Sequence, residues 1–251
     1  MLPAPADPNA PPPGTWPLFT FRGIRVFLHW SWILVAVYHI NKGQGQYSSI
    51  AWDIAEYVTL FAIVLLHEFG HSFATRQVGG RADQILLWPF GGIAYVQTPP
   101  RPGAYLWGIA AGPLVNAALW PVLWWLSHFM ADRVQDADLL AGERSLSLNL
   151  AIFTGTIHFI NTALLIFNLL PIYPMDGGQL LRGLLWFKIG PIKSMVAAAW
   201  TGLMLGGALL IYVMWQYQSV WMALVLGLML HQSWMTIQRV RMGQKSGLLP
   251  R

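Results

Sequence analysis

Residues 54–75 read IAEYVTLFAIVLLHEFGHSFAT, and the reading of the whole chain turns on the last third of that run. As a helix these residues rise about 33 Å, enough to cross a hydrocarbon core of about 30 Å. Near the end stand His67, Glu68 and His71. Residues four apart share a helix face, so two imidazoles can present nitrogens to one metal ion. Glu68, beside the first of them, can reach the water to be activated and take its proton. Ionisable side chains cost about 2.5–3.5 kcal/mol each in the middle of a membrane helix, so three within five residues point to function.

The rest of the chain supports a bilayer setting. Of 251 residues, 55% are hydrophobic and 10% charged, against about 45–50% and 25% in a soluble domain. Fourteen tryptophans suit the aromatic belts of a membrane protein. There is no cysteine. Disulfides, thiolate ligands and a cysteine nucleophile are therefore excluded, and a metal site must draw on His, Asp, Glu or backbone oxygen.

Residues 1–17 hold seven prolines and read as a polar, disordered stretch without the pattern of a leader peptide. A disordered tail is expected over 1–20, one membrane domain over 21–240 and a second tail over 241–251. Six apolar stretches follow one another at about 26–40, 54–75, 104–130, 150–170, 194–214 and 219–237. Residues 179–189 are apolar but too short to span, which suits an interfacial or re-entrant helix. The expected fold is an all-α polytopic membrane protein of six helices.

Charge placement agrees with that number. If every stretch crosses, Arg22, Arg25, Arg76, Arg81, Arg101, Arg182, Lys188, Lys193, Arg239, Arg241, Lys245 and Arg251 share one side, and only Lys42, Arg133 and Arg144 face the other. An excess of lysine and arginine marks the cytoplasmic side, so both termini are expected there. The net charge of +5 is then topological and does not point to nucleic acid. Between the second and third stretches, residues 85–96 read ILLWPFGGIAYV. Two short apolar runs around a Pro-Phe-Gly-Gly turn signal predict a short β-hairpin or looped strand.

Two histidines leave a hydrolytic zinc one protein ligand short. A candidate stands at the end of the fourth stretch, which reads Asn168-Leu-Leu-Pro171-Ile-Tyr173-Pro174-Met175-Asp176-Gly177-Gly178. Stretches two and four run the same way, so Asp176 is expected at the depth of the histidines. The prolines end the helix and Gly177 permits a sharp exit.

His-Glu-x-x-His in a membrane helix, with Asn-x-x-Pro and Asp-Gly about a hundred residues later, resembles the site-2 protease family of intramembrane metalloproteases. Gly112-Pro113-Leu-Val-Asn116 resembles its middle signature, and Gly91-Gly92 its loop beside the active site. The resemblance covers roughly residues 54–179. Many members read Pro-x-Pro-Pro-Leu-Asp where this chain has Tyr173 and Met175 at the third and fifth positions. No appended regulatory domain is expected.

The resemblance implies one zinc per chain on His67, His71 and Asp176, with Glu68 activating water. It implies that Asn116 and Asn168 line the site and hold substrate backbone or the oxyanion. Gly91, Gly92, Ile93 and Tyr95 would hold an unwound substrate as an added strand. The implied partner is a membrane protein with a transmembrane helix, cut near the cytoplasmic face in the plasma membrane. A competing reading is a membrane zinc or proton transporter using the same His/Asp cluster, although no internal repeat supports it. His158 and Asn161 are expected to make interhelical hydrogen bonds.

Overall fold

The computed structural model describes residues 11–43, 45–88, 91–134 and 145–246. The first half of the expected tail, residues 1–10, lies outside them, as do Arg144 and Arg251 of the charge pattern. The described residues form two compact units. One comprises 11–97 with 111–165, the other 98–110 with 166–246.

The first unit is built around α2, Ile50–Gln77. Before it come β1 (Thr15–Phe21), β2 (Ile24–His29) and α1 (Trp32–Gly43). After it come β3 (Arg81–Trp88) and β4 (Gly91–Gln97). The four strands form one sheet in the order β1-β2-β3-β4. β1 and β2 are antiparallel, β2 and β3 parallel, and β3 and β4 antiparallel. The β1–β2 turn takes positive φ at Arg22 and Gly23, which suits the glycine. One face of α2 seals the sheet: Val64 and Phe69 bury against Ile24, Val26, Trp32, Ile85 and Leu87. At the end of α2 the Arg76 guanidinium donates to the carbonyls of Arg22, Gly23 and Ala82, joining helix to sheet. The unit also takes in most of α3 (Pro102–Ala131) and α4 (Leu146–Leu169).

The second unit holds the start of α3 and the end of α4, then α5 (Asp176–Tyr217) and α6 (Val220–Lys245). α5 is broken at Gly190, whose φ of 80° is not helical, with Pro191 following. Residues 179–189, expected as a separate interfacial helix, are the body of its first arm. Ser219 caps α6 by accepting from the Met222 N–H.

Several expectations change. Thr15–Phe21 is a strand, so the disordered stretch does not reach residue 20. Its alternating apolar residues pair with β2, a partner that local composition does not reveal. Residues 241–245 are helical, as α6 continues to Lys245. The fold is not all-α with a lone hairpin, since the sheet recruits two strands from before α1. The first expected crossing does not form as one helix: 26–29 belong to β2, and α1 has 12 residues, about 18 Å long. Among the described residues, four helices are long and apolar enough to cross a membrane: α2, α3, α4 and α5. α6 has 26 residues, but Gln238, Arg239, Arg241, Gln244 and Lys245 populate its second half.

Candidate metal centre

His67 and His71 lie one turn apart on α2, both buried, and their Nε2 atoms face each other at 3.0 Å. Two ring nitrogens this close, on one face of a rigid helix, converge on a shared point. The Nδ1 of His67 lies 2.6 Å from Oδ1 of Asn116. An amide oxygen only accepts, so Nδ1 carries the proton and Nε2 keeps its lone pair for a metal. The Asn116 amide is itself fixed. Its Nδ2 donates to Oδ1 of Asn161 at 2.8 Å, and Nδ2 of Asn161 returns a bond to the Asn116 carbonyl at 3.0 Å. Both asparagines are fully buried.

Space for the imidazoles comes from the facing helix. A Cβ on Gly112 would run into the Nε2 atoms of both histidines. The approach is tight on α2 as well, where a Cβ on Gly70 would stand 2.6 Å from the Ala111 carbonyl oxygen. Gly112 and Asn116 are four residues apart, so one face of α3 provides both the gap and the orienting amide.

Glu68 is 6% exposed. Its Oε2 accepts the backbone N–H of Ala94 at 3.1 Å. Among the described residues β4 is a terminal strand of the sheet, paired to β3 alone. Because Ala94 gives its N–H to Glu68, it faces away from β3. Strand alternation then puts the backbone groups of Gly92 and Val96 on the same free edge, and those of Ile93 and Tyr95 toward β3.

In the second unit, Asp176 opens α5 after a compact turn. Met175 N–H donates to the Ile172 carbonyl at 2.9 Å, and Gln179 N–H to the Met175 carbonyl at 2.9 Å. Gly177 and Gly178 pack flush on backbone: a Cβ would strike the carbonyls of Leu169 and Leu170 at the first, and Ile172 and Tyr173 at the second. This is the physical reason for the Asp-Gly-Gly sequence. Asn168 is half-buried near the end of α4; its side chain has no hydrogen-bond partner among the described residues.

The family model of peptidase family M50 matches residues 55–213, more than half of the chain. The chain belongs to peptidase family M50. It is 35% identical over 195 residues to a zinc metalloprotease of Methanocaldococcus jannaschii, covering 78% of this chain and 52% of the relative. It is 34% identical over 124 residues to stage IV sporulation protein FB of Bacillus subtilis, covering 49% of this chain and 37% of the relative. The chain thus spans about half the length, or less, of these curated relatives. The fold is similar to the solved site-2 protease from Methanocaldococcus jannaschii, with a TM-score of 0.59 and 30% identity over 89% of this chain and 95% of that one.

As an M50 member the chain is an integral membrane protein with zinc as the family's metal. The donor chemistry here fits that ion: imidazole and carboxylate suit zinc, and a cysteine-free chain has no thiolate to offer. The comparisons lend the transporter reading no support. Of the residues expected at the site, His67, Glu68, His71 and Asn116 come together in the first unit. Asn116 does so with both ends of its amide already engaged. Sequence reasoning left Gly112 and Asn161 outside the site. The signal for Gly112 was its spacing of four from Asn116; Asn161 was read as an interhelical hydrogen bonder, but its link to a ligand was not visible.

Proposed function

We propose that this protein is an intramembrane zinc metalloprotease that hydrolyses peptide bonds in or near transmembrane helices of other membrane proteins, close to the cytoplasmic face. The observation that carries the reading is the facing pair of Nε2 atoms of His67 and His71, with Glu68 beside them and Gly112 leaving room. One zinc per chain is held by His67, His71 and Asp176, a group of donors suited to a metal ion. When bound, zinc supplies Lewis acidity that polarises water and a peptide carbonyl.

The chain's own groups do the rest. Asn116 orients His67 through Nδ1. Glu68 takes the proton of the attacking water and delivers it to the leaving amine. Between the two asparagines, Asn168 is the better oxyanion donor, because its amide has no partner among the described residues whereas that of Asn116 is committed. A helical substrate must unwind before its backbone can react, and the lost backbone bonds need replacement. The free edge of β4 can provide them by strand addition. Gly91 and Gly92 ease close backbone approach, and the groups that would meet the substrate are those of Gly92, Ala94 and Val96.

Six crossings with both termini in the cytoplasm remain the proposed topology, in the plasma membrane. β2 followed by α1 makes the first crossing. Six strand residues and twelve helical ones cover about 38 Å, close to the length of α2 at about 42 Å. β2 is paired on both sides and buried at Ile24, Val26 and Phe27, the condition under which a non-helical backbone is tolerated at membrane depth.

Purified protein reconstituted with a single-helix membrane client tests the proposal. Wild type should cut the client, and the metal chelator should stop it. Glu68→Gln should keep the zinc and lose turnover by at least about a hundredfold. Cleavage by the variant at the wild-type rate would end the assignment.

A further inference from the structure

The turn that delivers Asp176 is held by side chains from two helices, α5 just after it and α6 far from it in sequence. Tyr173 and Pro174 precede the aspartate by three and two residues, and each has its carbonyl taken by a side chain. Ser233 of α6, fully buried, donates its hydroxyl to the Tyr173 carbonyl. Gln179 donates its Nε2 to the Pro174 carbonyl at 3.0 Å. The Gln179 amide is locked in turn: its Oε1 accepts from the Tyr105 hydroxyl at 3.1 Å, and Arg182 Nη1 donates to that hydroxyl at 3.2 Å. The Arg182 guanidinium also lies over the Tyr105 ring, 4.7 Å from its centroid.

Steric fit closes the same turn. A Cβ at Gly202 of α5 would stand 2.7 Å from the Tyr173 nitrogen and 3.1 Å from the Ser233 hydroxyl. Ile172 is 3% exposed, and a Cβ on Gly206 would meet its Cγ2 at 3.4 Å. The two carbonyls are thus pinned on separate supports, one by α6 and one by the first turn of α5 with Tyr105 behind it.

We infer that Ser233 and Gln179 are positioning residues for the metal ligand Asp176, acting through the Tyr173 and Pro174 carbonyls. The inference rests on Asp176 being a ligand, as proposed above. It gives the last helix a task at the metal: α6 contributes no ligand, yet fixes the turn that carries one. Residues that orient a metal ligand typically change affinity by about 10–100-fold when removed.

Zinc affinity measured by chelator competition on the full-length protein, well below its melting temperature, tests this without reference to turnover. Asp176→Ala comes first and tests the ligand assignment by itself: it should lose most of its affinity. Ser233→Ala and Gln179→Leu, each with Asp176 intact, should weaken zinc about tenfold and alter the visible absorption of the cobalt-substituted protein. Combined with Asp176→Ala, neither should weaken the remaining binding further, since the turn then carries no ligand. Wild-type affinity and cobalt spectrum in both single variants would overturn the inference while leaving Asp176 a ligand. An equal loss with and without Asp176 would also overturn it, because the effect would then be general destabilisation.

Discussion

The two ends of α2 each bury a glutamate, and they hold it differently. Near the start, Glu56 is 5% exposed and accepts the hydroxyl of Tyr47, nine residues back along the chain. Burial, and next that hydrogen bond, push the Tyr47 phenol above its ordinary range. The loop carrying Tyr47 is tied to α4 as well: Asn149 accepts the Ser48 N–H at 3.0 Å and donates to the Ser48 hydroxyl at 2.8 Å. Near the other end, Glu68 is equally buried but accepts a backbone N–H from the edge of a sheet. A phenol locked by its own loop is a permanent partner. An amide on a free strand edge is one that an incoming backbone carbonyl can claim. Burial alone therefore does not distinguish Glu56 from the carboxylate proposed to activate water; the replaceability of the partner does.

The largest effect should come from Gly112→Ala. Alanine is the better helix former by about 1 kcal/mol, so propensity alone predicts stabilisation. The new methyl would overlap the Nε2 atoms of His67 and His71, and the helices cannot part easily while Gly70 sits against the Ala111 carbonyl. We expect zinc affinity to fall by at least about a hundredfold. Elemental analysis with a melting curve checks this; a variant with full zinc would mean that the imidazoles have another way to converge.

Asn116→Ala comes next. It removes the acceptor from His67 Nδ1–H and leaves the Asn161 amide without its partner. Zinc affinity should drop about 10–100-fold with the fold retained. Asn116→Asp keeps an oxygen for Nδ1–H and should recover part of the loss. Equal affinities for Asn116→Ala and wild type would return Asn116 to a role in holding substrate.

Much of this site could be read from the chain because helices encode their neighbours locally. His67, Glu68 and His71 lie within five residues, and four-residue spacing alone implies a shared face. Gly112 and Asn116 carry the same spacing, but the partner of that face lies on another helix. Whether Asn116 meets substrate or a ligand depends on where α2 stops relative to α3, which no local pattern records. The sheet was least legible. β1 and β2 are separated from β3 by α1 and α2, so their pairing is a long-range decision. An apolar run such as 26–40 reads as one helix when its first residues are buried strand. Ser233 shows the same limit, 60 residues from the carbonyl it holds.

Ala94→Pro tests the replaceable partner directly. It removes the N–H that Glu68 accepts, on the side facing away from β3, where proline is tolerated in an edge strand. Zinc binding should be unchanged. Cleavage of a fully helical client should slow about tenfold, the worth of one lost hydrogen bond to a charged or reacting partner. A client with helix-breaking residues at the cleavage region should suffer less. Tyr95→Pro would instead remove a donor facing β3 and should lower the melting temperature. If Ala94→Pro cuts both clients at wild-type rates, the strand edge does not hold substrate.

The smallest effect on chemistry should come from Glu56→Gln, the matched change at the other end of the helix. Glutamine keeps an oxygen to accept the Tyr47 hydroxyl and is nearly the same size, so the buried pair survives as a neutral hydrogen bond. A hydrogen bond to a charged acceptor is worth about 1.5–3 kcal/mol and a neutral one about 1. The expected cost is therefore on the order of 1 kcal/mol of stability, offset in part because a buried charge no longer has to be desolvated. A modest fall in melting temperature is the measurement. Zinc content and the rate on a helical client should match wild type, because the site at the far end of α2 draws nothing from this pair. Glu68→Gln makes the same chemical change twelve residues further on and should do the reverse, sparing stability and removing turnover. Should Glu56→Gln abolish cleavage while leaving the melting temperature alone, the two carboxylates would have to be treated as one functional system, and the distinction between a permanent and a replaceable partner would fail.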